Sequence, residues 1–90
     1  MTIINILLVD DQEELLNITR IFLEKGGDIL VDTCTSAMSA IDMLKEKKYD
    51  AIVSDYEMPQ MDGIEFLRTI KRQGLEKPFI IFREEAEKMW

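Results

Sequence analysis

The strongest constraint on what this chain can fold into is an alternation. Four short apolar runs, at about 3–9, 29–34, 50–54 and 79–82, are separated by stretches whose apolar residues recur at helical spacing. Alternating strand and helix signals of this kind build βαβ units around a parallel sheet. Two of the runs end on acids. Ile3-Ile4-Asn5-Ile6-Leu7-Leu8-Val9 leads into Asp10-Asp11, and Ala51-Ile52-Val53-Ser54 leads into Asp55. If these runs are neighbouring parallel strands, three carboxylates meet at one edge of one sheet. Carboxylates that close repel unless they share a proton or hold a cation. An oxygen-only cluster suits a hard divalent ion, Mg2+ above all.

Local punctuation agrees with the alternation. Asp11 is expected to cap the first helix, with Glu14 completing a capping box. Leu15, Leu16, Ile18, Phe22 and Leu23 form that helix's apolar set, and Gly26-Gly27 ends it. Ser36 is expected to cap a second helix bearing Ala37, Ala40, Ile41 and Leu44. Lys45, Lys47 and Lys48 suit its negative C-terminal end, as a solvated cluster rather than a binding patch. Asp62 and Glu65 form a second Asp-x-x-Glu cap, opening a helix with Ile64, Phe66, Leu67 and Ile70 that Gly74 closes. Pro78 opens the strand Phe79-Ile80-Ile81-Phe82, a position where proline is tolerated.

Ninety residues make one small domain with a modest share of buried surface. The net charge of -7, from 18 acids and 11 bases, argues against nucleic acid and anionic membrane as direct partners. No apolar stretch approaches membrane-spanning length, and Met1-Thr2-Ile3 lacks the basic start of a signal peptide. The lone cysteine, Cys34, is read as a buried small hydrophobe in a reducing cytoplasm.

Val9-Asp10-Asp11 together with Ser54-Asp55-Tyr56-Glu57-Met58-Pro59-Gln60-Met61-Asp62-Gly63 resembles the receiver domain of two-component response regulators, a CheY-like, flavodoxin-like α/β fold. The resemblance covers roughly residues 3–82 and implies a parallel sheet of strand order 2-1-3-4. It implies that Asp55 is the phosphoacceptor, charged by a histidine kinase's phosphohistidine in a Mg2+-dependent reaction. It implies Asp11 as direct metal ligand, Asp10 acting through water, and Glu57 contributing its backbone carbonyl. A carboxylate is a reasonable nucleophile for phosphoryl transfer, and Mg2+ would offset the charge of donor and acceptor. Pro59 is expected to stiffen a turn, Met58 and Met61 to pack inward, and Gly63 to let the backbone tighten at the helix start.

The pattern also departs from the family. Receivers carry a serine or threonine after the fourth strand and a lysine after the fifth. Here Phe82 is followed by Arg83, and the chain ends at Trp90. The expected fold is therefore a receiver-like domain over 1–82, without a fifth βα unit, and a short helical tail over 83–90. The abrupt end suits an engineered, truncated or spliced chain. Arg83 is a candidate pocket cation, emerging on the acidic edge toward Asp55 or Asp11, with plain surface exposure as the alternative. The missing unit should leave apolar surface on the third and fourth strands, so a homodimer or domain-swapped oligomer is expected. Without metal, repulsion among the strand-end acids should raise at least one carboxyl pKa.

Two other functions compete with the phosphoacceptor. One is a binding or oligomerisation module with the receiver's look but no switch. The other is a Mg2+ phosphatase with an aspartyl nucleophile, which wants a second aspartate where Gln12 stands.

Overall fold

The computed structural model describes residues 2–83. From residue 84 onward the expected helical tail lies outside the described residues. The elements are β1 (Ile4–Val9), α1 (Glu13–Glu24), β2 (Ile29–Cys34), α2 (Ala37–Glu46), β3 (Ala51–Asp55), α3 (Gly63–Arg72) and β4 (Phe79–Phe82). All strand pairs are parallel and the sheet order is β2-β1-β3-β4, as expected. This is the CheY-like, flavodoxin-type arrangement.

Alternation along each strand divides the core in two. Leu7, Val9 and Ile52 face α2 and α3, where they pack with Ala40, Ile41 and Phe66. Leu8 and Val31 face α1 and pack with Leu16. The Phe66 ring meets Phe79 edge to face at 5.3 Å, which ties α3 to β4. Each fully buried side chain of this size stabilises the fold by roughly 1.5–3 kcal/mol. The central strands β1 and β3 carry most of that burial, so their C-terminal ends are held by the best-packed part of the molecule.

Several caps form as expected. Ser36 Oγ accepts from Ser39 N at 3.1 Å, and Asp62 Oδ1 accepts from Glu65 N at 2.9 Å. Gly27 and Gly74 both take positive φ, at 85° and 71°, just beyond α1 and α3. The cap expected from Asp11 does not form. Gln12 occupies the N-cap position, and its side chain makes no cap hydrogen bond. Asp10 has displaced it: its Oδ1 accepts from Gln12 N at 2.9 Å, a turn closed by the aspartate side chain one residue earlier.

The apolar set of α1 also differs from expectation. Leu16 is buried, whereas Ile18 and Phe22 are 66 % and 73 % exposed. Ile21 joins them on the outward side at 62 %. The helix carries apolar residues on more than one side, and only one side can meet the sheet. On the same sheet face Ile80 of β4 is 58 % exposed, so apolar surface expected on the last strand is present.

Candidate functional site

Register brings the acids together. Val9 pairs with Ser54, so Asp10 leaves β1 beside Asp55 at the end of β3. Backbone bonds continue past the strand ends and lock them. Asp10 N donates to Cys34 O at 3.1 Å, and Tyr56 N donates to Phe82 O at 2.8 Å. One carboxylate oxygen from each of Asp10, Asp11 and Asp55 lies within 4.8 Å of the others. The three environments differ: Asp10 and Asp55 are buried, at 1 % and 6 % exposure, while Asp11 is exposed.

Asp10 bears the electrostatic cost. Its pKa is pushed up to about 6, first by burial and then by the charges of Asp55 and Asp11. The hydrogen bond from Gln12 N opposes that rise. A raised carboxyl was expected from repulsion; desolvation is the larger cause. Asp10 Oδ2 is buried with no hydrogen-bond partner among the described residues. A buried orphan oxygen in an all-carboxylate cluster is the arrangement a hard cation would complete. The residues present therefore fit Mg2+.

Above the cluster lies an open cavity of about 470 Å3 lined by Asp11, Tyr56, Glu57, Met58, Pro59 and Asp62. Met58 is 9 % exposed and joins the core, and Met61 packs against that core, so both turn inward. Gln60 takes φ 71°, and Met61 N donates to Pro59 O at 2.7 Å, a tight γ-turn between them. Gly63 N donates to Tyr56 O at 2.8 Å. A methyl group on Gly63 would stand 2.7 Å from the Asp55 carbonyl oxygen. Gly63 is thus required by the close approach of α3 to the backbone of Asp55.

Arg83 is exposed, and its guanidinium carbon stands 4.7 Å from the centre of the Tyr56 ring. Among the described residues its contact is this ring rather than an ion pair with Asp11 or Asp55. Asp62, expected as a helix cap, and Tyr56 both line the cavity. Tyr56 was legible as the residue directly after Asp55; its partnership with Arg83 depends on β4 lying beside β3.

The family model of the response regulator receiver domain matches residues 6–89. The chain belongs to that family. The receiver is similar to the response regulator Rre1 of Synechocystis, at 38 % identity over 71 residues, covering 79 % of this chain and 31 % of that protein. Among solved structures it is similar to the chemotaxis response regulator CheY4 of Vibrio cholerae, at 26 % identity and TM-score 0.83. That match covers 98 % of this chain and 76 % of the other. The response regulator TrrA of Thermotoga maritima, solved in complex with Mg2+-BeF, is 23 % identical with TM-score 0.83, covering 97 % of this chain and 75 % of that one. This receiver spans between 23 % and 36 % of the length of the curated relatives it matches.

Receiver domains take a phosphoryl group on an aspartate and act as signalling modules with histidine kinases. Among the described residues no helix is long and apolar enough to cross a membrane.

Proposed function

We propose that Asp55 is the phosphoacceptor of this receiver and that a histidine kinase in the cytoplasm is its donor. One observation carries the reading: Asp55 ends β3 beside Asp10 and Asp11, with an oxygen from each inside 4.8 Å. In the transfer, a carboxylate oxygen of Asp55 forms a bond to phosphorus. The bond from phosphorus to the donor imidazole nitrogen breaks, and the imidazole keeps the electron pair. Burial of Asp55 keeps bulk water from competing, and the clamp from Tyr56 N to Phe82 O holds the strand end in place.

Asp11 would hold Mg2+ directly, Asp10 through water, and Asp55 and the Glu57 backbone carbonyl would complete the protein's share. Bound there, the ion would neutralise charge on the incoming phosphoryl group and orient its oxygens. Gln12 N holds Asp10 Oδ1, while Oδ2 is buried with no hydrogen-bond partner among the described residues. Pro59 and Met58 shape the cavity wall, and Gly63 lets α3 approach the backbone of Asp55. None of these three contributes chemistry. The binding-module alternative is not proposed, because the acidic cluster is intact.

Incubation with Mg2+ and acetyl phosphate should add one acid-labile phosphate, detected by mass. Asp55→Ala should abolish the adduct. Absence of the adduct in the wild type, or its persistence in Asp55→Ala, rejects the assignment.

A further inference from the structure

Among the described residues β2 has one strand neighbour, β1, and so forms an edge of the sheet. Bonds from Ile4 N to Asp28 O and from Asp10 N to Cys34 O bracket that pairing. Backbone groups alternate in direction along a parallel strand. Leu30 and Asp32 therefore turn theirs to β1, while Ile29, Val31 and Thr33 turn theirs outward. Val31 N, the middle outward donor, is nonetheless occupied. It donates to Glu24 Oε2 at 2.9 Å. The other oxygen, Glu24 Oε1, pairs with Arg20 one turn back along α1 at 3.5 Å. Glu24 breaks a local rule to be there. It is the last residue of α1, where the helix's negative end disfavours a carboxylate, and no base stands in that turn to offset it.

A second charge lies next along the strand. Asp32 is half-buried on the face opposite Val31, where it accepts from the Tyr49 hydroxyl and from Lys47 Nζ at 2.9 Å. Occupied outward donors and inward-pointing charges are what keep a sheet edge from pairing with another chain. The composition of β2 makes that protection necessary. Ile29-Leu30-Val31 and Thr33 favour strand pairing, and Leu30 is 53 % exposed.

We propose that Glu24 is an edge guard: its carboxylate, paired with Arg20, occupies the outward N–H of Val31 and closes β2 to strand addition by a second copy of this chain. The excluded occupant is the β2 of that copy. Two such edges can meet about a two-fold axis with Val31 facing Val31, an antiparallel pairing in which each edge offers the other the same groups. Its central hydrogen bonds use the N–H that Glu24 holds. β4 lies at the opposite edge of the sheet, so the two edges can be tested separately.

Amide hydrogen exchange and sedimentation at low salt test this. In the wild type the Val31 amide should be protected, and exchange at the rate of an unstructured amide overturns the proposal without any variant. In Glu24→Ala, protection at Val31 should fall about 10-fold, and dimers or larger species should form at about 10-fold lower concentration than in the wild type. Glu24→Gln keeps an acceptor oxygen and should sediment as the wild type. Adding Leu30→Lys to Glu24→Ala places a charge on the opened edge and should restore the wild-type mass. Adding Ile80→Glu, on β4, should not. A Glu24→Ala variant that melts lower but sediments as the wild type makes Glu24 a helix-to-strand tether alone and overturns the guard. Association reversed by Ile80→Glu and not by Leu30→Lys overturns it equally.

Discussion

At the scale of single residues, Asp10 shows how a site is built at the expense of the fold. Its carboxyl is buried between two other acids, with one oxygen held by Gln12 N and the other orphaned among the described residues. Asp10→Asn removes the buried charge and keeps the shape. It should raise the melting temperature of the metal-free protein, by roughly 1–3 kcal/mol of stability. The same variant should lose most of the melting-temperature gain that millimolar Mg2+ gives the wild type. Thermal melts in EDTA and in Mg2+ check both halves.

Asp32 is the opposite case. Its carboxylate accepts from the Tyr49 hydroxyl and pairs with Lys47 at 2.9 Å, and these contacts lower its pKa below 3.8. A lowered pKa stabilises the fold above the unfolded value of 3.8 and is lost as pH falls through the folded value. The side chain is 37 % exposed, so screening keeps the effect small. Asp32→Asn should cost about 0.5–1.5 kcal/mol at neutral pH, a cost that shrinks as pH falls through the folded value, as read from melts from neutral into acid.

Between elements, the loop from β3 to α3 decides the quality of the site. Gly63→Ala would press a methyl group onto the Asp55 carbonyl, a backbone neighbour at 2.7 Å that cannot rotate away. The variant should lose about 1–3 kcal/mol and, by moving Asp55, more of its phosphorylation rate than its stability explains. Denaturant melts beside the acetyl phosphate assay separate the two effects. Gln60 is a milder instance. A side chain at φ 71° costs about 1–2 kcal/mol, while glycine gives back about 0.5–1 kcal/mol in unfolded-state entropy. Gln60→Gly should therefore stabilise slightly, by a few tenths to about 1 kcal/mol, with chemical denaturation as the measure.

For the whole molecule, the unresolved tension is between apolar surface and charge. Ile80 on β4 and Ile18, Ile21 and Phe22 on α1 are exposed, and Val53 and Phe82 between them are only half-buried. A second copy covering the β4 face is the proposed consequence. The net charge of -7 opposes it. Association should therefore strengthen with salt, as screening weakens repulsion while apolar contact persists. Sedimentation at high micromolar concentration in low and high salt should show this dependence. Ile80→Glu should shift the protein to monomer, and a wild-type monomer under both conditions would refute self-association.

The strands and the helix caps were legible in the sequence because they rest on short-range rules, whereas the strand order, and with it the acid cluster, was implied by the family resemblance. Apolar runs mark strands, capping residues mark helix starts, and a helical crossover between strands makes them parallel. Ser36, Asp62, Gly27 and Gly74 all act where those rules put them. Other features depended on what lies across space. Two carboxyls could each satisfy the turn before α1, and only the packed strand ends selected Asp10 over Asp11. Helical spacing identified α1 as apolar, but where the sheet lies decided that Ile18 and Phe22 face outward. Arg83 is expected from the sequence to leave β4 at the acidic edge, with plain exposure as the alternative. Its seat over Tyr56 follows from the register of β4 on β3, because a side chain's partner is set by the neighbouring strand and not by its own.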